Sequence, residues 1–296
     1  MRRLSAVAVF VLSLVLVTGC GSTLVRVNER FSLDVPWEDY ERVVIRTGNG
    51  HVELFSEERE GAAIGGVKQA GGLTWMEAEE NLGRVAIIAQ PDETDASTLM
   101  VRLEYPEALR HKSMGADFEI RVPAPCAADI ATANGYIRVR GLRDRAVLHT
   151  GNGRIIAEDV TGDIQAESSN GRIVVRRVDG MCELKTSNGR IEAHDVNGSV
   201  RATTSNGSIF VRATPPPEGR AIMQSSNGSI KAVLPPNLHG TLSLRCDNGR
   251  VSADLFGIAL SNTHWSKQAV EAQLNGGGSG EIRAHTSNGS ITIECQ

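Results

Sequence analysis

The dipeptide Asn-Gly recurs along the second half of this chain at a fixed interval, and no other feature restricts the fold as strongly. It occurs at Asn134 and then every 18 residues as far as Asn206. Three later copies follow at steps of 21, 21 and 40 residues. A fixed internal period indicates a repeat architecture in which each unit packs on its neighbours. The predicted corner asparagines are Asn134, Asn152, Asn170, Asn188, Asn206, Asn227, Asn248 and Asn288.

Apolar and polar residues alternate on both sides of each corner. If N is the corner asparagine, position N+3 is isoleucine in seven of the eight repeats and valine in the other. In the regular repeats a second glycine corner follows at N+10, and N+12 and N+14 are again mostly apolar. Alternation with a period of two is typical of a half-buried strand. Each repeat therefore predicts a strand, a corner, a second strand and a second corner, which together we call a rung.

The volumes of the inward positions change in a compensating way from one rung to the next. Where one rung has Val175 and Leu184, the next has Ala193 and Ala202. Close packing requires such compensation when rungs stack at a strand spacing of about 4.8 Å. A string of antiparallel hairpins with Asn-Gly turns is the alternative, but it does not require each column to keep its chemistry. We predict an all-β fold, a parallel β-solenoid of about 18 residues per rung with one short helix.

The Asn-Gly corners themselves have a structural interpretation. Asparagine and glycine both tolerate left-handed backbone angles, which other residues resist. Stacked asparagine side chains can also hydrogen-bond from rung to rung as a ladder. We therefore expect the eight asparagines to act as a corner ladder rather than as ligand contacts.

The first residues have the layout of a secretory signal. Arg2 and Arg3 precede an apolar run at residues 4–17, which is too short for a comfortable membrane span. The run ends in Val-Thr-Gly-Cys, which resembles a bacterial lipobox. That resemblance implies cleavage before Cys20 and lipidation of Cys20, and several acyl chains give stable membrane anchoring. The alternatives are an ordinary signal with a chance cysteine, or an uncleaved anchor.

The remaining chain divides by pattern. We predict a signal peptide at 1–19, a tether at 20–40, a β-rich section at 41–130 and solenoid repeats at 131–296. An early Asn49-Gly50 corner predicts a first rung within the β-rich section. Thr74 and Glu77 form a capping-box pattern that begins the one short helix.

A family resemblance follows from these features taken together. The lipoprotein start, the early Gly-Asn-Gly rung, the short helix, the Val122-Pro123-Ala124 entry and the T-x-N-G-x-I repeats resemble the bacterial putative-adhesin, β-strand-repeat family of unknown function. The resemblance covers about residues 40–296. It implies a cell-envelope β-solenoid and supplies no catalytic residues. Because Gly21 rather than aspartate follows Cys20, the resemblance to a lipobox favours an outer-membrane address if the source has an outer membrane.

No motif of catalysis, cofactor binding or metal binding is present in the sequence. The seven histidines are scattered, and there is no HExxH, G-x-S-x-G or phosphate-loop pattern. A net charge of -4 argues against nucleic-acid binding. Outside the leader, four cysteines leave three disulfide connectivities open. These cysteines are Cys126, Cys182, Cys246 and Cys295.

One surface column is a candidate ligand contact. Arg154, Arg172 and Arg190 occupy position N+2 of three successive rungs, where stacking would place like charges about 5 Å apart. The column is either a solvated face neutralised by Glu167 or Glu192, or a contact for an anionic glycan or lipid head group.

The sequence thus predicts a lipid-anchored, non-enzymatic envelope protein that presents an extended surface. We expect it to contact the membrane through its lipid, together with an envelope polysaccharide or another envelope protein, and to require no cofactor. A purely structural scaffold or spacer is one alternative, and a polysaccharide-active β-helix enzyme is another.

Overall fold

The structure is a computed structural model that describes residues 24–296 and the backbone of Val11–Leu14. The chain divides into two compact units, Met1–Arg143 and Asp144–Gln296. Strands and tight corners make up nearly all of both, and most strand pairs in the second unit are parallel. The predicted fold class, an all-β solenoid with one short α-helix, is confirmed.

The first unit contains the short helix and ten strands among its described residues. In chain order its elements are β1 Val11–Leu14, β2 Val25–Pro36, β3 Arg42–Asn49, β4 Val52–Glu57, β5 Gly61–Gly72, α1 Trp75–Gly83, β6 Ala86–Pro91, β7 Thr98–Glu104, a 3-10 turn Glu107–Leu109, β8 Met114–Pro123, β9 Ala127–Asn134 and β10 Ile137–Arg140. One sheet has the order β1-β2-β5-β8-β4-β10, and the other has the order β9-β3-β7-β6.

Residues 25–36 differ from the tether expected at 20–40. They form β2, which pairs antiparallel with β5 along its whole length. Val27, Phe31 and Val35 are buried, at 1%, 6% and 5% exposure. Apolar residues spaced for one face of a strand cannot stay solvated cheaply, so this segment folds as part of the unit. The edge of β2 also pairs with β1, which lies in the predicted leader.

The early rung is present as expected. β3 pairs in parallel with β9, and β4 pairs in parallel with β10, so that Asn49 is the register partner of Asn134. The helix is also present. The Thr74 hydroxyl accepts a hydrogen bond from the Glu77 amide at 3.1 Å, and Ala78 and Leu82 are buried on the inner side of α1.

The second unit consists of strands that alternate between two sheets. In chain order these are β11 Ala146–Asn152, β12 Ile155–Thr161, β13 Ile164–Ser168, β14 Ile173–Asp179, β15 Cys182–Thr186, β16 Ile191–Asn197, β17 Val200–Asn206, β18 Ile209–Ala213, β19 Arg220–Asn227, β20 Ile230–Leu234, β21 Gly240–Asn248, β22 Val251–Asp254, β23 Leu260–Trp265, β24 Ala269–Leu274, β25 Glu281–Asn288 and β26 Ile291–Cys295. We call β12-β14-β16-β18-β20-β26-β22 the front sheet and β11-β13-β15-β17-β19-β25-β21-β24-β23 the back sheet.

Register partners in the regular part of this unit lie 18 residues apart. In the front sheet Ile155 pairs with Ile173, and Ile173 pairs with Ile191. The three isoleucines are fully buried between the sheets. The alternation of inward volumes is also present, because Val175 lies between Ala157 and Ala193 in the same column. Equal filling of successive layers allows straight stacking without cavities.

The last rung in sequence is not the last rung in space. β25 lies between β19 and β21, and β26 lies between β20 and β22. The β25–β26 rung therefore follows the β21–β22 rung in sequence, but in space it lies between that rung and the β19–β20 rung. The segment between β22 and β25 contributes β24, which pairs antiparallel with β21 and covers its otherwise open edge.

Candidate binding surface

A ladder of asparagine side chains runs along the corners of the second unit. Asn170, Asn188 and Asn206 each donate from Nδ2 to the Oδ1 of the preceding asparagine at 2.8 Å. Asn227 continues the ladder to Asn206 at 3.0 Å. In the first unit, the same bond joins Asn134 to Asn49 at 2.9 Å. Each amide is both donor and acceptor, so the ladder fixes one rung relative to the next.

The inserted rung changes the order of the ladder. Asn288 donates to Asn227 at 2.9 Å and Asn248 donates to Asn288 at 3.0 Å. Asn288 therefore has neighbours on both sides, and Asn248 is at the end. Chain order alone would have placed Asn288 last, because nothing in the repeat pattern reveals an insertion between two earlier rungs.

The conformational reason given for the Asn-Gly corners applies to Gly50, Gly135, Gly249 and Gly289, whose φ is 139–159°, but not to Gly171, Gly189 and Gly207. Left-handed angles occur instead at N+7, where Asp159, Arg177 and Asp195 have φ of 57°, 52° and 55°. The corner glycine is required by a close approach. A Cβ on Gly189 would collide with the backbone carbonyl of Gly171 in the neighbouring rung.

A second ladder explains the hydroxyl residue two positions before each corner. Thr186 donates from its hydroxyl to the Gly171 carbonyl oxygen at 3.1 Å, although it is only 3% exposed. The same bond recurs from Ser168, Thr204, Ser225 and Thr286 at 2.8–3.0 Å. The recurrent Thr or Ser of the T-x-N-G motif was the available signal, and sequence reasoning did not assign it a role.

The candidate arginine column surrounds one carboxylate on the front sheet. Glu192 has only 15% of its side chain exposed, and its oxygens lie 3.9 Å from Arg172 Nη1 and 3.4 Å from Arg190 Nη1. His194 Nε2 is 3.8 Å from the same carboxylate. Within residues 24–296, no acidic group lies within ion-pair distance of Arg154. Two guanidinium groups, those of Arg172 and Arg190, therefore lie beside one carboxylate, and Arg154 continues the column one rung further on.

The other acid proposed to neutralise this column lies elsewhere. Glu167 is on the back sheet, where it pairs with Lys185 at 2.9 Å and lies 4.0 Å from His149. His149 and Glu167 are register partners in β11 and β13.

A shallow groove of about 390 Å³ adjoins the arginine column. Phe210 lies outward on β18 between its register partners Glu192 and Lys231. The ring of His194 lies 4.9 Å from the ring of Phe210. Ser208 and Ser229 add hydroxyl groups from the rungs that contain Phe210 and Lys231. The groove thus combines an aromatic floor, cationic walls and hydroxyl donors, which we call the front groove.

The sequence contains a signal for the front groove that was not used. Aromatic residues make up only 4% of the chain, and Phe210 is at an outward position of the strand pattern. A large aromatic side chain at a predicted solvent-facing position was therefore the feature of the sequence that pointed to this part of the front sheet.

Outside the groove, neighbouring rungs are joined by pairs of opposite charge. Arg177 contacts the Asp159 carboxylate through two nitrogens, at 2.6 and 3.1 Å, and Arg176 pairs with Glu158 at 2.9 Å. The hydrogen bond and charge of Asp159 raise the pKa of Arg177. These side chains pair with each other. They therefore help to hold neighbouring rungs in register and are not candidates for binding a ligand.

A separate polar cluster lies in the first unit. The Tyr136 hydroxyl donates to Glu53 Oε1 at 2.5 Å, and the His51 ring stacks on Tyr136 with centroids 4.2 Å apart. Burial, together with the bond to Glu53, raises the pKa of Tyr136 to about 12. Asp117 accepts from the His51 amide at 2.8 Å. Both carboxylates are held by donors of the protein, so the cluster is primarily a structural junction.

The four cysteines within residues 24–296 are free thiols and buried. The three disulfide pairings left open by the sequence are therefore absent from the structure. Burial, aided by the charge of Asp163, raises the pKa of Cys182 to about 12. The thiol is thus held neutral as a small core side chain.

Cys20 lies outside the described residues. Among the residues that are described, no three His, Cys, Asp or Glu side chains cluster as a metal site. No helix in the same part of the chain combines the length and apolar character needed to cross a membrane.

Comparison with known proteins gives structural neighbours only. No family model matches the chain. No curated protein sequence matches it either. Among solved structures, a putative adhesin from Bacteroides fragilis NCTC 9343 has a TM-score of 0.44 at 13% identity and covers 90% of this chain and 97% of its own. A putative cell adhesion protein from Clostridium sporogenes ATCC 15579 has a TM-score of 0.23 at 10% identity and covers 91% of this chain and 100% of its own.

Proposed function

We propose that this chain is a lipid-anchored, non-enzymatic envelope protein that binds an acidic polysaccharide along the front sheet of its solenoid. The observation that carries the proposal is the front groove, where Phe210 lies beside His194 and is bordered by Arg190 and Lys231. Cations attract the carboxylates of an acidic glycan, and an aromatic face packs against the apolar face of a sugar ring.

The shape of the surface suits a polymer better than a small molecule. The groove is shallow and draws side chains from successive rungs, and the arginine column extends it towards Arg172 and Arg154. Successive rungs repeat at about 4.8 Å, close to the length of one sugar residue. Each rung contributes a weak contact, and a long ligand adds them.

Rigidity favours binding along such a surface. The asparagine and hydroxyl ladders hold neighbouring rungs in register, so little conformational freedom is lost when a ligand binds. Glu192 also orients Arg172 and Arg190 from within the surface, since one carboxylate lies within 4 Å of both guanidinium groups.

The proposal is tested by calorimetry with polygalacturonate as the acidic probe and dextran as the neutral one. We expect the Cys20→Ala chain to bind polygalacturonate with an affinity that falls as salt rises. Arg190→Gln combined with Lys231→Gln should weaken binding on the order of tenfold, as two exposed charge contacts are removed. Arg201→Gln is the matched control, because Arg201 is exposed on the back sheet.

Two results would contradict the proposal. Equal binding of dextran and polygalacturonate would remove the role of charge. Equal affinity of the wild type and the double variant for polygalacturonate would show that the front groove is not the binding site. It would favour a scaffold without a ligand. Release of shortened saccharides during the titration would instead favour the polysaccharide-active enzyme.

Lipid anchoring is proposed on the lipobox-like end of the leader, with an outer-membrane address if the source is diderm. The test is metabolic labelling with an alkyne fatty acid. The wild type should be labelled and Cys20→Ala should not, since each other cysteine is buried within the fold. Equal labelling of both would contradict anchoring at Cys20.

A further inference from the structure

Large apolar side chains that remain exposed gather mainly at two places in the described part of the chain. One group consists of Leu24, Leu73, Trp75 and Met76, at 37%, 68%, 45% and 77% exposure. The other lies near the β23 strand of the second unit and includes Trp265, at 48% exposure. Exposed apolar groups of this kind mark contact surfaces more often than chance positions.

The members of the first group are held together by the ends of two paired strands. Val25, which begins β2, is the register partner of Gly72, which ends β5. Leu24 immediately precedes the first strand end, and Leu73 immediately follows the second. The Leu24 side chain also covers Gly71, since its Cδ2 lies 2.8 Å from where a Cβ on that glycine would be.

The helix adds two further apolar side chains to the same edge. Trp75 and Met76 lie in the first turn of α1 and remain 45% and 77% exposed, although Trp75 shares the helix face of the buried Ala78 and Leu82. Glu77, which caps this turn, pairs with Lys112 at 2.7 Å, so the charges at the border are matched. We call Leu24, Leu73, Trp75 and Met76 the apolar edge.

The length of chain before the apolar edge identifies its occupant. Leu24 is four positions after Cys20, and four fully extended steps of the chain span at most about 14 Å. If Cys20 is lipidated and inserted in a bilayer, Leu24 must lie within that distance of the membrane surface. Tryptophan and other large apolar side chains next to an anchor are favoured at the interface between lipid head groups and acyl chains.

We infer that the apolar edge is a second membrane contact, which docks the first unit on the lipid bilayer beside the anchor. The inference rests on the proposed lipidation of Cys20. The lipid anchor attaches the protein to the membrane, and the apolar edge orients it. The edge can do so because its side chains insert from different elements and contact the bilayer at more than one point.

The direct test uses the lipidated chain in vesicles of phosphatidylethanolamine and phosphatidylglycerol that carry a dibrominated acyl chain. Bromine quenches tryptophan fluorescence only at short range. Quenching should occur in the wild type, persist in Trp265→Phe and disappear in Trp75→Phe, although Trp75 and Trp265 are equally exposed in the structure. Quenching that disappears in Trp265→Phe, or no quenching at all, would overturn the inference.

A second experiment removes the dependence on the anchor. The Cys20→Ala chain is added to the same vesicles and its bound fraction is measured by flotation. Leu73→Ser combined with Met76→Ser should lower the partition coefficient by about tenfold or more, because two side chains lose their insertion into lipid. Met181→Ser, at 51% exposure in the second unit, is the matched control and should bind as the parent does.

Lipid anchoring at Cys20 and membrane contact by the apolar edge can be refuted independently of each other. If fatty-acid labelling of Cys20 is absent, anchoring fails, and flotation of the Cys20→Ala chain still decides whether the edge contacts lipid. If labelling occurs but Trp75 is not quenched, only the apolar edge is refuted. A photo-crosslinker at Met76 that labels a protein and no lipid would likewise refute it and assign the edge to an envelope partner.

Discussion

The hydroxyl ladder gives a stability prediction that can be worked out from one side chain. Thr186 lies at the end of β15 and is 3% exposed, and its hydroxyl donates to the Gly171 carbonyl of the neighbouring rung. Thr186→Val keeps the shape and the β-branched geometry while it removes only the donor. No water can easily replace that donor, because the site is buried between the sheets.

Two opposing terms set the size of the effect. Leaving a buried carbonyl without its donor costs about 1–3 kcal/mol. Replacing the hydroxyl by a methyl group gains roughly 0.8 kcal/mol from apolar burial. The carbonyl term is larger, so we expect Thr186→Val to lower the free energy of unfolding by about 0.2–2 kcal/mol.

Urea unfolding followed by circular dichroism measures this difference as a shift in midpoint at constant m-value. Thr203→Val is the matched control, because Thr203 lies on the neighbouring strand β17, faces outward and is partly exposed. The control should change stability by less than about 0.5 kcal/mol. Equal shifts for the two variants, or a gain in stability for Thr186→Val, would refute a structural role for the hydroxyl ladder.

Three further changes test other parts of the fold. Cys246 occupies the ladder position of threonine in the terminal rung, so Cys246→Thr should add about 0.5–1.5 kcal/mol of stability in the same urea assay by donating to the Gly289 carbonyl. Ile173→Asp places a charge in the fully buried isoleucine column and should cost more than about 4 kcal/mol, measured as a large fall in melting temperature. Because the folded pKa of Tyr136 is raised from 10.0 to about 12, its stabilising contribution should be complete below pH 10 and lost as the pH rises through 12. Absorbance at 295 nm should show a tyrosine transition near pH 12 that Tyr136→Phe removes.

The repeat pattern predicted the regular part of the second unit because the residue at each repeat position meets the same physical requirement in every rung. Isoleucine at N+3 fills the space between the sheets, and asparagine at the corner meets an identical amide in the next rung. Local chemistry of this kind is visible in a single sequence, since every rung has the same neighbours.

Features that depend on a unique partner were not visible. The strand Val25–Pro36 pairs antiparallel with β5, and no repeat links the two segments. The place of Asn288 between Asn227 and Asn248 depends on where a long excursion returns. Pairing between distant segments leaves no period in the sequence, so alternation alone gave the strand type but not its partner.

The candidate surface was predicted in part. The arginines at N+2 were found from spacing, and Glu192 was among the acids named beside them. The front groove was missed, because it needs Phe210 and Lys231 from irregular rungs in which the column chemistry changes. The regular repeat positions predict the fold, whereas a candidate binding site lies where residues depart from the repeat.

The stacking order of the last rungs is the central structural claim, because the ladders depend on it and Lys231 of the front groove pairs with Glu294 of the inserted rung at 2.7 Å. Spin labels on cysteines introduced at the corners measure it directly. Ser226 and Ser287 lie in adjacent rungs, about 5 Å apart, whereas Ser226 and Asp247 lie two rungs apart at about 10 Å. Our account predicts stronger dipolar broadening for the Ser226→Cys/Ser287→Cys pair than for the Ser226→Cys/Asp247→Cys pair. The reverse order of broadening would mean that the rungs stack in chain order and would contradict the insertion.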